Sequence, residues 1–92
     1  MTQEQLDLVL SAAGCAAEDD FHRFPEGCTA TFQVAKDGVG FSVSRANSVK
    51  NTGGQLHIRT EKGESCFVAL GDVFACVVDE RGGRSARRAG FA

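Results

Sequence analysis

From Thr29 to Ala35 the chain alternates without a break: Ala30, Phe32 and Val34 occupy one parity, Thr29, Thr31 and Gln33 the other. Successive side chains of a strand point to opposite faces, so this run specifies a strand with one apolar and one polar face. Lys36-Asp37-Gly38 follows, and Asp-Gly suits the left-handed backbone of a tight hairpin turn. Val39, Phe41 and Val43 then alternate with Gly40, Ser42 and Ser44. Two alternating runs about one such turn make an antiparallel hairpin, and the rest of the chain must complete a sheet around it.

Thr2 opens the chain's other clear element. Thr2 and Gln5 have capping-box spacing, and Leu6, Val9, Leu10 and Ala13 share one helical face before Gly14 stops the turn. This predicts a short amphipathic helix over 3–13 that needs a sheet to dock on. Residues 15–28 read as a loop that Phe21 and Phe24 anchor to the core, and 46–54 read as a polar loop. Leu56 and Ile58 alternate with Gln55, His57 and Arg59 in a third strand, and Ser65–Leu70 make a fourth. Val73–Asp79 fits a helix as well as a strand; its valines favour a strand. By default Phe32, Phe41, Phe67 and Phe74 are core residues.

The expected fold is α+β: one N-terminal helix packed on a four- to five-stranded antiparallel sheet, forming a single domain over 1–80. Residues 81–92 hold four arginines and no apolar period, and read as a flexible basic Arg/Gly-rich tail ending near Phe91. With 92 residues, the chain is too small for a large multi-substrate enzyme.

The cysteines decide little. Cys15, Cys28, Cys66 and Cys76 are separated by 12, 37 and 9 residues, so no C-x-x-C pair exists. Met1–Asp7 carry two acids and no base, so no secretory signal is expected, and a reducing cytoplasm is the expected compartment. Cys66 and Cys76 then read as small buried apolar residues, with a Cys66–Cys76 disulfide or a scattered zinc site as alternatives. No membrane-spanning run is present.

Charge is segregated along the chain. Residues 1–35 hold six acids and one base, 36–62 five bases and two acids, and 63–80 four acids. The middle block supplies Lys36, Arg45, Lys50, Arg59 and Lys62 as candidates for contact with phosphates or an acidic protein surface. Arg59 and His57 are expected on the solvent face of the third strand. Glu18, Asp19 and Asp20 form a separate acidic cluster suited to lysines that hold a nucleic-acid strand. A mixed charged surface also serves solubility alone.

Catalytic signatures are missing from the sequence. Gly38-x-Gly40 lacks the third glycine of a dinucleotide loop, no phosphate loop occurs, and no serine sits in Gly-x-Ser-x-Gly. Asp37–Val43 shares its glycine spacing with the RNA-recognition strand motif, but Asp37 stands where a base belongs and Val39 where an aromatic stacks. A binding protein without enzymatic activity, cofactor or metal is therefore expected.

In size and organisation the chain resembles the small phage-encoded anti-CRISPR proteins, a likeness of form that no single motif carries. The resemblance implies a cytoplasmic inhibitor that docks on a protein–RNA partner, a CRISPR surveillance complex, and blocks target DNA by occupancy. Lys36, Arg45, Lys50, Arg59, Lys62, Glu18, Asp19 and Asp20 are the partner-binding candidates. The alternative is a nucleic-acid-binding accessory or regulatory module using segment 36–62 and the arginine tail.

Overall fold

A computed structural model of the chain describes residues 1–80. The elements run α1 (Gln3–Ala13), β1 (Ala16–Glu18), β2 (Phe21–Arg23), β3 (Cys28–Lys36), β4 (Val39–Thr52), β5 (Gln55–Thr60), β6 (Ser65–Ala69), a 3₁₀ turn (Leu70–Asp72) and β7 (Val73–Glu80). The class is α+β as expected, but the antiparallel sheet has seven strands where four or five were expected. The expected tail, 81–92, lies outside the described residues.

The β3–β4 hairpin forms as the alternation predicts, with Phe32 opposite Val43 and Lys36 opposite Val39. Asp37 and Gly38 both take positive φ, 53° and 80°, as a mirror-image turn requires. Helix α1 carries both capping-box bonds: Gln5 N–H donates to Thr2 Oγ1 at 3.2 Å, and Thr2 N–H to Gln5 Oε1 at 2.9 Å. Leu6 and Leu10 are buried, and Gly14 ends the helix at φ 76°.

Two expectations about loops are corrected. Residues 15–28 contain the β1–β2 hairpin, whose turn places Asp19 and Asp20 at φ 53° and 69°. Aspartate tolerates that region better than most residues, and two adjacent aspartates with no glycine gave no conventional turn signal. Residues 46–52 are the second half of β4, paired with both β2 and β5. Its alternation is hidden by two irregularities. One falls where Ala30 and Phe32 oppose Ala46 and Val43, the other where Thr60 and Arg59 oppose Ala46 and Ser48. Each inserts an extra residue into β4, so the inward residues are Val43, Ala46 and Val49, three apart rather than two. Arg45 sits in the first bulge at φ 58°.

The sheet has to curl. Its main path runs β6–β5–β4–β3–β7, with the β1–β2 hairpin beside the far half of β4. In a flat sheet the outer strands β6 and β7 would stand ~19 Å apart. They are consecutive, and the four residue steps from Ala69 to Val73 span at most ~14 Å. The concave side closes on Leu6, Leu10, Phe24, Phe32, Leu56 and Ile58. Residues 73–79 are strand.

Phe32 is fully buried and Phe24 anchors to the core as expected, whereas Phe21 is buried outside the core cluster, under Lys50 and Arg59. Phe41, Phe67 and Phe74 are exposed, which corrects their assignment to the core. On β6, Cys66 and Val68 pack inward, so the pleat turns Phe67 out; on β7, Val73, Cys76 and Val78 take the inner positions and leave Phe74 outside. Phe41 shares the inner face with its cross-strand partner Val34, but lies near the end of β4, beyond full cover. Among the described residues no helix is long and apolar enough to cross a membrane.

Candidate functional site

The register of β4, β5 and β6 sorts their side chains. Val49, Ile58 and Cys66 form one cross-strand row that faces the core. Lys50, His57 and Phe67 form the next, which faces away from it. Ser48, Arg59 and Ser65 make a second row on that side, in which Ser48 is itself buried. Continuing the β2–β4 pairing places Phe21 beside Lys50 and Arg23 beside Ser48. Four strands thus contribute to one basic and aromatic surface.

Its rings are ordered by contact. Phe67 stacks on His57 with centroids 4.2 Å apart and an interplanar angle of 29°. His57 meets Phe21 edge-on at 5.0 Å, and its Nε2 is hydrogen-bonded to Ser65 Oγ at 3.0 Å. The Arg59 guanidinium lies 4.0 Å from the Phe21 centroid and Lys50 Nζ lies 5.3 Å from it. These cations cover Phe21, whereas Phe67 keeps 62% of its surface exposed. Burying a phenylalanine is worth ~1.5–3 kcal/mol, and folding leaves most of that ungained at Phe67.

Electrostatics set this surface apart. Strands β4, β5 and β6 contain no aspartate or glutamate and hold Arg45, Lys50 and Arg59. Among the described residues neither Lys50 nor Arg59 is ion-paired. Partial burial first, then Arg59 and Lys50, hold the His57 imidazole below its usual 6.5.

The other candidates are placed elsewhere. Lys36 lies at the β3–β4 turn, 3.9 Å from Asp72, on a cleft of about 340 Å³ that Phe41 and Phe67 also line. Arg45 lies 3.8 Å from Glu61 at the bulge, and exposed Lys62 follows on the β5–β6 turn. Glu18 lies 3.9 Å from Arg23, while Asp19 and Asp20 build the hairpin turn. Of the eight residues singled out in the sequence, the structure brings Lys50 and Arg59 together over one ring. Phe67, Phe21 and Arg23 join them unforeseen, because the pairing of β2 with β4 and the facing of β6 carry no local signal.

All four cysteines are free thiols. Burial and the neighbouring Cys28 and Cys76 push Cys15 up to about 11, and burial pushes Cys76 to about 11. Burial, then Glu80 and Asp79, also raises Cys28. Among the described residues no group of three or more His, Cys, Asp or Glu side chains is placed to hold a metal ion. No known family, curated protein or solved structure matches the chain.

Proposed function

We propose that the protein is a non-enzymatic binding module acting by occupancy through the outer face of β2, β4, β5 and β6. The observation that carries this reading is Phe67, 62% exposed and stacked on His57 beside two cations without ion-pair partners among the described residues. An isolated exposed apolar residue is ordinary. A ring fixed by a stacking partner on strands that carry no acid, with the neighbouring Glu18 and Asp72 each beside a base of their own, is suited to a partner that is flat and negatively charged.

The specific form of the proposal is an inhibitor docking on a protein–RNA complex, in the manner of the anti-CRISPR proteins, and obstructing target DNA. Such an inhibitor needs a rigid scaffold and a complementary surface of ~800 Å². The curled sheet supplies the first, the outer face part of the second. The test is target-DNA binding by a purified CRISPR surveillance complex under increasing amounts of the protein. Stoichiometric loss of DNA binding is expected, with recovery when the Lys50→Glu/Arg59→Glu variant replaces the wild type. Undiminished DNA binding at excess protein rejects the inhibitor.

A further inference from the structure

Resting on that choice of surface, the geometry points to the chemical identity of what Phe67 meets: we propose that Phe67 and His57 form a stacking platform for an unpaired base of a single-stranded nucleic acid, with Lys50 and Arg59 taking phosphates farther along the same strand.

The stack has one open end. His57 is bounded by Phe21 on one side and Phe67 on the other, and Phe67 is bounded by His57 on one side only among the contacts of these rings. The next flat group to join the series lies on the free face of Phe67. Any base offers a π-face there, so the contact requires an aromatic ring and no particular sequence. A duplex keeps its bases in its own stack and cannot present one, which selects a single strand.

The cations stand on the far side of His57 from that open face, where a strand crossing β5 would meet them. Lys50 lies on β4 and Phe67 on β6, two interstrand spacings or ~10 Å apart. Arg59 and Lys50 converge on Phe21, so two positive charges are held over one point of the face. Rigidly placed charge loses little side-chain entropy on meeting a phosphate. No acid lies on β4, β5 or β6, and the two nearest, Asp72 and Glu18, lie 3.9 Å from Lys36 and from Arg23, which limits the repulsion a strand would meet. An acidic protein segment would need an aromatic side chain of its own at the free face of Phe67, whereas every nucleotide carries a flat ring beside its charge, which is why a strand with bases fits better.

Fluorescence anisotropy of a labelled short oligouridine tests the proposal. The wild type is expected to bind, with log K falling as log salt rises; two phosphate contacts contribute about −1.4 to that slope. Phe67→Ala is expected to weaken binding about 5- to 150-fold at unchanged thermal stability, and Phe67→Tyr to restore it. Lys50→Gln/Arg59→Gln should flatten the slope by that ~1.4. An equal affinity of Phe67→Ala and wild type overturns the platform, as does tighter binding to a duplex of the same length. Should oligouridine fail to bind while Lys50→Glu/Arg59→Glu still abolishes inhibition of the surveillance complex, the platform falls and the docking face stands.

Discussion

The guanidinium of Arg59, on β5, lies 4.0 Å from the ring centroid of Phe21, on β2. The two strands are not hydrogen-bonded to each other; β4 runs between them. The contact therefore ties the short β1–β2 hairpin to the main sheet across an intervening strand. An isolated two-stranded hairpin is marginal in water, and this one depends on what covers Phe21. Arg59→Ala is expected to cost about 0.5–1 kcal/mol through the lost cation–π contact and stem packing. Phe21→Ala should cost about 3 kcal/mol, and amide exchange should show β1 and β2 opening first. Equal protection of β1 and β3 in Phe21→Ala would show that the ring does not hold the hairpin.

The phenylalanines divide by face, and stability should divide with them. Phe32, with no exposed surface, is expected to cost about 3–5 kcal/mol on replacement by alanine. Phe74→Thr keeps the β preference of the strand and should change stability by no more than ~0.5 kcal/mol. Urea denaturation of the two variants measures both. A loss above ~2 kcal/mol for Phe74→Thr would place that ring in the core.

His57 gives a pH dependence with a defined sign. Its folded-state pKa lies below 6.5, so the unfolded chain binds the proton more readily. Its share of stability is fully present above 6.5 and is lost as pH falls through the folded-state value. An NMR titration of the ring should give a midpoint below 6.5, and Lys50→Gln should move it upward by removing one of the charges that depress it. A midpoint above 6.5 in the wild type contradicts the arrangement.

Cys15 and Cys76 should resist alkylation. Both thiols are raised from 9.0 to about 11, and the thiolate is the reacting form. Iodoacetamide at about pH 8 is expected to leave both intact in the native protein and to modify both in urea, read by peptide mass spectrometry. The linked stability is present below 9.0 and declines as pH rises toward about 11. Rapid native labelling of either residue would show that packing against the core does not shield it.

The elements legible in the sequence are those whose signals are local. Thr2 with Gln5, and the alternation from Thr29 to Val43 about Asp37-Gly38, each specify geometry within a few residues, and both form as the spacing requires. The second half of β4 was illegible because two bulges turn a period of two into inward residues three apart, at Val43, Ala46 and Val49. The β1–β2 hairpin has three-residue strands about a turn without glycine. The site was half legible. Arg59 and His57 lie opposite Ile58 in any alternating strand, so their outward direction follows from the sequence. Phe67 could not be separated from the core, since Cys66-Phe67-Val68 is apolar on both parities. Only the pairing of His57 with Phe67 decides which way that run faces.

Residue-resolved NMR during titration with oligouridine tests the central claim most directly. The account predicts that shifts concentrate at Lys50, His57, Arg59 and Phe67, with the exposed helix residue Leu8 and the turn residues Asp19 and Asp20 unmoved. Shifts centred on α1 or on the β1–β2 turn, or a spectrum unchanged at saturating oligonucleotide, would contradict it.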